Sequence, residues 1–203
     1  LANDEIMLQI AVADGARPLH VSKGRAPVPH YGKAMEIYEA IHAASPRAAK
    51  GVLQRLALAV SLELSEPIHT PKKGSDPDAP RVIDPLKRYL HYEKAYLAGE
   101  LDPKFDQLTV WDLRFSVCAG ELDEALAWGR EMLRNYRPDH IYTSNAGWRY
   151  VNLVTSDVKY GSQDVKYDRP ELQQYQNMLM NGGICGRRAF FGRFILRAFG
   201  VPT

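Results

Sequence analysis

Apolar residues recur at three- and four-residue intervals along the first two thirds of the chain. This spacing buries one face of an α-helix, while prolines, glycines and capping residues mark where each helix begins and ends. The pattern predicts helices at Tyr31–Ala44, Pro46–Glu63, Pro85–Leu97, Thr109–Cys118 and Asp123–Tyr136. Prolines, Gly74 and a lysine pair between Ser65 and Pro80 predict a surface loop. Residues 1–140 are therefore expected to form a mostly helical region.

The pattern changes after Pro138, where aromatic and β-branched residues become more frequent. Trp148–Thr155 is rich in both kinds of residue and is predicted to be a β-strand or extended chain. Asp168 is placed to cap a further helix, which is predicted from Pro170 to about Met180.

A last helix is predicted from Cys185 to Phe199. It follows a turn at residues 181–183, where two glycines permit positive φ angles. Gly200 suits the position after a helix end, and Pro202 prevents continuation. The cysteine therefore lies at the N-terminus of this helix.

Length and charge limit the classes of function that fit the chain. Its 203 residues suffice for one large domain or two small ones with a core that needs no disulfide or metal. The net charge of +2 gives no electrostatic reason to expect binding to nucleic acid or to an anionic membrane. No apolar run approaches the roughly 18–20 residues of a membrane-spanning helix. Because the chain begins at Leu1 without a signal-peptide pattern, we expect that an upstream segment was removed.

The cysteines are the candidate reactive groups. Only Cys118 and Cys185 occur, and no Cys-x-x-Cys pair or Cys/His cluster indicates zinc, so no cofactor or metal is predicted. A thiolate is the reactive form of cysteine, and the positive end of a helix stabilises it. Arg187 and Arg188 add positive charge near Cys185. Spacing alone still leaves the more common role open, in which a cysteine is a small buried apolar residue.

The segment around Cys185 resembles a known motif. Its sequence, GGICGRRAFFGRFILRAFGVP, contains Gly183-Ile184-Cys185, then Ala189, then the run LRAFGVP at residues 196–202. This run is similar to the Gly-x-Cys…Ala…Leu-Arg-Ala-Leu-Gly-Ile-Pro signature of the transglutaminase-like superfamily. The resemblance implies an α+β fold, in which residues 141–203 are the N-terminal, nucleophile-helix half of a transglutaminase-like or papain-like core. It also implies a cysteine enzyme that acts on a carboxamide or peptide bond through a thioester, and then transfers the acyl group to an amine or to water.

The resemblance further implies a Cys-His-Asp triad in that order along the chain. The six histidines all precede Cys185, and none has a spacing that marks it as the base; they are His20, His30, His42, His69, His91 and His140. We therefore expect a second segment or chain to supply the histidine and aspartate, and the substrate to be a protein or peptide. Strands following residue 203 are expected to cover Ile195, Leu196 and Phe199, and the chain alone is expected to be inactive.

The groups that would stabilise the oxyanion are less well marked. The backbone N–H of Cys185 is the natural candidate at a helix start. Trp148, Tyr150 or Gln176, the last with its neighbours Gln173 and Gln174, are candidates for a second donor. Each of these side chains has a simpler explanation as a core aromatic residue or a solvated helix surface.

Two other functions stay open. In the first hypothesis, the chain is a non-catalytic helical interaction module with a degenerate transglutaminase-like domain. In the second it is a helical scaffold with a Cys118–Cys185 disulfide. The paired helices also resemble a helical-repeat module, although antiparallel helices around a shared core explain the same apolar spacing.

Overall fold

The computed structural model describes residues 3–15, 30–70, 82–161 and 165–203. His20 and most of the predicted loop between Ser65 and Pro80 lie outside these residues. The chain divides into two compact units. Unit 1 comprises Leu1–Ile68, Ile83–Ala119 and Gly200–Pro202, and unit 2 comprises His69–Val82, Gly120–Phe199 and Thr203. The predicted boundary near residue 140 stays a prediction.

The described residues form α-helices joined by short turns. The helices are α1 (Asp4–Gly15), α2 (Tyr31–Ala44), α3 (Gly51–Glu63), α4 (Pro85–Leu97), α5 (Val110–Val117), α6 (Asp123–Tyr136), α7 (Asp139–Tyr142), α8 (Asn152–Ser156), α9 (Gln174–Asn181) and α10 (Cys185–Ala198). Short 3-10 helices occupy Pro46–Ala49, Phe105–Gln107, Ala146–Trp148 and Val165–Tyr167. The predicted bounds of α2, α4 and α6 are confirmed.

Unit 1 is built around α3, which packs against α2, α4 and α5. Most of α3 is buried, from Val52 to Ser61, because apolar residues occupy nearly every side of it. Local capping fixes where its neighbours begin. The Asp84 carboxylate accepts a hydrogen bond from a backbone N–H of α4, and Thr109 forms a capping box at the start of α5.

Unit 2 is built around the packing of α10 on α6. Gly129 of α6 gives the Phe194 ring room, because a Cβ at Gly129 would lie 2.8 Å from Phe194 Cζ. The Tyr175 ring stacks on the Phe194 ring at a centroid distance of 3.7 Å, and the Tyr150 ring stacks on Phe199 at 4.1 Å. These aromatic contacts hold the buried side of α10 in place.

The expected α+β fold is wrong. The described residues are mostly helical and contain no β-sheet, only the isolated bridges His69–Val82 and Tyr160–Gly183. A transglutaminase-like or papain-like core needs a sheet, so the fold assigned to residues 141–203 is not the one observed. An extended strand is stable only when neighbouring strands bond its backbone groups, and no such ladder forms in the described part of the chain.

The predicted strand Trp148–Thr155 is also wrong. This segment holds the end of a 3-10 helix and α8. Tyr150 between them has a φ of 66°, which interrupts any extended run. The Thr155 hydroxyl donates to the Asn152 carbonyl three residues earlier, which is a helical pattern of hydrogen bonding.

Three smaller expectations also need correction. The segment Pro46–Glu63 is divided at Gly51, whose φ of 63° separates a 3-10 helix from α3. Asp168 does not cap a helix, because α9 begins later and Gln173 is its N-cap. Ile195 and Phe199 are buried within unit 2, so their burial does not depend on strands that follow residue 203.

No helix in the described ranges is both long enough and apolar enough to cross a bilayer.

Candidate functional site

Cys185 is the first residue of α10, and a tight turn places it there. Gly182 has φ 72° and ψ −156°, a conformation open almost only to glycine. A Cβ on Gly182 would lie 2.4 Å from the Lys159 carbonyl oxygen. The Gly183 N–H donates to that same oxygen at 3.0 Å, and the Gly161 N–H donates to the Gly183 carbonyl at 3.3 Å. The turn is therefore tied to the segment around Tyr160.

Arg187 lies under this turn. A Cβ on Gly183 would meet the Arg187 Cβ at 2.5 Å, so the arginine side chain runs along the glycine toward the start of the helix. Its Nη2 donates to Asp168 Oδ1 at 3.0 Å, and Asn181 Nδ2 donates to the same oxygen at 2.8 Å. Arg187 Nε and Nη1 are buried and have no hydrogen-bond partner in the described structure. A guanidinium with one carboxylate partner thus remains at the N-terminal end of α10.

The Cys185 thiol itself is exposed and does not form a disulfide. The described part of the chain offers it no hydrogen bond or ion pair. The N-cap residue Ile184 makes no side-chain capping bond, so no capping side chain covers the backbone N–H groups at this end of α10. Attack by a thiolate on a carbonyl needs such an accessible sulfur with positive charge near it.

The predicted oxyanion residues are not brought to the thiol by hydrogen bonds. Trp148 is 54% exposed, in a 3-10 helix. Tyr150 is buried against Phe199. Gln176 Oε1 accepts from the Gln173 N–H and closes the capping box of α9. Their roles in an oxyanion site therefore stay predictions.

No described histidine hydrogen-bonds the Cys185 thiol. His30 Nε2 lies 3.3 Å from a Glu66 oxygen, and His42 packs on Tyr38. His140 is buried within unit 2, where it faces Ser156. Within the described ranges, no group of three or more His, Cys, Asp and Glu side chains is arranged to hold a metal ion.

A second polar cluster surrounds His140, and the sequence pattern does not predict it. His140 Nε2 lies 3.1 Å from Ser156 Oγ and 3.6 Å from Asp157 Oδ2, and Ser156 Oγ donates to Asp157 Oδ2 at 2.5 Å. Arg137 donates to both Asp139 and Asp157. No short motif signals this cluster, because His140 in α7 and Ser156 at the end of α8 are 16 positions apart in the sequence.

The ionisation of this cluster follows from its hydrogen bonds. Burial alone would raise the pKa of Asp157, but hydrogen bonds from Ser156 and Arg137 outweigh burial and lower it. The hydrogen bond from Arg137 likewise lowers the pKa of Asp139. The Ser156 hydroxyl has one hydrogen, and its nearer acceptor is Asp157 Oδ2, while Arg137 donates to Asp157 and Asp139, so these hydrogen bonds brace the cluster.

Comparison with known proteins finds no matching family model, no matching curated protein and no matching solved structure.

Proposed function

We propose that Cys185 is the nucleophile of an enzyme that acts on a carboxamide or peptide bond through a thioester. One observation carries the proposal, namely an exposed thiol as the first residue of the 14-residue helix α10. The resemblance of residues 182–202 to the nucleophile segment of transglutaminase-like enzymes agrees with that placement, although the α+β fold that the resemblance implied is not observed.

Electrostatics support a nucleophilic role. The N-terminus of a helix carries roughly half a positive elementary charge, which stabilises negative charge that develops next to it during a reaction. Arg187 adds a buried guanidinium at the same end, held by a single carboxylate, Asp168. Backbone N–H groups of the first turn would also face the oxygen that becomes negative when the sulfur attacks a carbonyl.

The reaction then follows in two steps. The Cys185 sulfur adds to the carbonyl carbon, and the tetrahedral intermediate expels ammonia or an amine as the C–N bond breaks, which leaves a thioester. The leaving nitrogen takes the proton that the thiol gave up, through a histidine acting first as base and then as acid. An amine or water next attacks the thioester carbon and regenerates the thiol.

The histidine and its aspartate partner would come from a second segment or chain. The support is that Cys185 is exposed and that four described histidines, His30, His42, His91 and His140, are engaged elsewhere in hydrogen bonds, ion pairs or ring contacts. The substrate would be a protein or peptide, because a surface thiol at a helix end can receive a side-chain amide without a deep pocket.

The test is acyl-enzyme trapping with the protein at its full native length. Glutamine- and asparagine-containing peptides are added with hydroxylamine, which intercepts thioesters, and the hydroxamate product and released ammonia are measured. We expect product from the native protein and none from Cys185→Ala. Cys118→Ala is the matched control and should keep its activity, because Cys118 is buried in unit 1.

Equal activity in native protein and Cys185→Ala would refute a nucleophilic Cys185. Absence of product from every peptide, with Cys185 intact and no thioester seen by mass spectrometry, would instead favour a non-catalytic helical interaction module.

A further inference from the structure

Helix α10 carries positive charge without any negative charge. Its 14 residues include four arginines and neither Asp nor Glu. Two of these arginines are buried and have polar partners: Arg187 pairs with Asp168, and Arg197 Nε donates to Thr203 Oγ1 at 2.9 Å. The other two, Arg188 and Arg193, lie half-buried and exposed respectively. They are the cations that α10 presents to solvent.

Arg188 and Arg193 have no carboxylate partner among the described residues. Other arginines of unit 2 do have one, for example Arg137 with Asp139 and Arg169 with Glu171. Arg188 instead donates to the Val158 carbonyl. Two guanidinium charges of α10 are therefore not neutralised by a carboxylate of the described residues.

Each of these two guanidinium groups lies over an exposed aromatic ring. Arg188 Cζ is 5.5 Å from the centroid of Tyr160, and Arg193 Cζ is 4.9 Å from the centroid of Phe190. Tyr160 is 76% exposed and Phe190 is 49% exposed. Stacking holds the planar guanidinium on the ring and leaves its edge N–H groups available to a bidentate acceptor.

The two arginines flank Cys185 on the helix surface. With about 100° and 1.5 Å per residue, Arg188 lies about 60° to one side of Cys185 and about 4.5 Å along the axis. Arg193 lies about 80° to the other side and about 12 Å along the axis. An extended peptide advances about 3.3 Å per residue, so these positions fall within about four residues of an amide that reaches the thiol.

We propose that Arg188, Arg193, Tyr160 and Phe190 form an arginine face that binds an acidic peptide segment next to the reacting amide. Carboxylates match in charge and in geometry two guanidinium groups that have no carboxylate partner among the described residues, and the aromatic rings provide apolar contact for the peptide chain. The catalytic consequence rests on the proposed function. The enzyme then prefers amides with Asp or Glu within about four residues over amides flanked by Lys or Arg.

The first test measures binding alone. Cys185→Ala protein is titrated into fluorescent peptides that hold a glutamine flanked by glutamates or by lysines, and anisotropy is read at low and high salt. The glutamate peptide should bind at least about tenfold more tightly at low salt and lose this advantage as salt rises. Arg188→Gln/Arg193→Gln should weaken glutamate-peptide binding about fivefold to tenfold, as expected for two surface pairs.

A charge-matched control separates this face from the net charge of the protein. Lys50→Gln/Lys104→Gln removes the same charge from exposed positions of unit 1 and should leave binding unchanged. The proposal is overturned if the control weakens binding equally, if both peptides bind alike, or if a single-stranded oligonucleotide displaces the peptide at lower concentration than unlabelled peptide does.

The second test measures turnover. In the hydroxylamine assay, the ratio of kcat/KM for the glutamate peptide over the lysine peptide should fall toward one in Arg188→Gln/Arg193→Gln. Selective binding without any thioester would refute the nucleophile and leave the arginine face intact. If kcat/KM is the same for the glutamate and the lysine peptides, the arginine face is refuted, while the nucleophilic role of Cys185 is not.

Discussion

The turn before Cys185 provides the most direct test of the structure, through the substitution Gly182→Ala. Gly182 has φ 72° and ψ −156°, and an added Cβ would lie 2.4 Å from the Lys159 carbonyl oxygen and 3.0 Å from the Lys159 Cβ. The oxygen belongs to the backbone, so it cannot move aside as the end of a flexible side chain would. The turn must then either accept the strain or separate from Lys159.

The cost follows from the two consequences of the added methyl group. A non-glycine residue in this region of φ and ψ is strained by roughly 1–3 kcal/mol. Separation from Lys159 also breaks the hydrogen bond from the Gly183 N–H, which is worth about 0.5–1.5 kcal/mol net. We therefore expect Gly182→Ala to lower the free energy of unfolding by about 1.5–4.5 kcal/mol when both contributions apply.

The assay is urea denaturation followed by circular dichroism, together with the rate of iodoacetamide alkylation at Cys185. Gly161→Ala is the matched control, because a Cβ there would have no atom within 4 Å and should change stability by less than about 0.5 kcal/mol. Equal stability of the two variants would show that the turn does not have the geometry described.

Three further substitutions test other parts of the structure. Thr109→Ala removes the hydroxyl that caps α5 and should cost about 1 kcal/mol in thermal or urea unfolding, whereas Thr109→Ser should cost less. Tyr175→Phe removes the hydroxyl that donates to Glu121. Burial, and then the Glu121 carboxylate, raise the pKa of the Tyr175 phenol. In an alkaline titration, the variant should therefore have one fewer tyrosine with a strongly raised pKa than the native protein has. Asp157→Asn weakens the contact with Arg137 and should cost about 1 kcal/mol at pH 7. Because the pKa of Asp157 is lowered in the folded protein, its contribution is complete above the unfolded value, near about 4, and is lost as the pH falls below it. Unfolding curves between pH 7 and 3 should therefore converge for native protein and variant, and a constant gap would contradict this account.

Local patterns in the sequence were sufficient to predict most helices. Asp84-Pro85 marks the start of α4, and Thr109 marks the start of α5, because capping is decided by a few consecutive residues. The bounds of α6 follow from its apolar spacing in the same way. The N-terminal position of Cys185 on α10 was also predictable, since Gly200, with a φ of 75°, ends the helix as its sequence indicates.

Features that depend on distant residues were not predictable in this way. The composition of Trp148–Thr155 favours a strand, but a strand needs a partner, and the described chain offers none. Tyr150 instead turns with a φ of 66° and stacks on Phe199, some fifty residues later. That contact buries a face of α10 for which the resemblance predicts a cover of later strands. Asp168 is likewise predicted to be a helix cap from its local sequence. The structure pairs it instead with Arg187, which is distant in the sequence.

The two cysteines show why a residue type alone does not identify a nucleophile. Both lie at helix ends, and neither forms a disulfide, which disagrees with the Cys118–Cys185 scaffold. Cys118 follows the C-terminus of α5, where the helix dipole is negative, and its buried Sγ faces the Phe115 carbonyl at 3.5 Å. Burial keeps the Cys118 sulfur from a reagent or substrate in solution. Cys185 begins α10 at the positive end and is exposed, with Arg187 held beneath the same turn. Native alkylation should therefore label Cys185 at neutral pH and spare Cys118 until the protein unfolds, whereas equal labelling of both would contradict the contrast between the two helix ends.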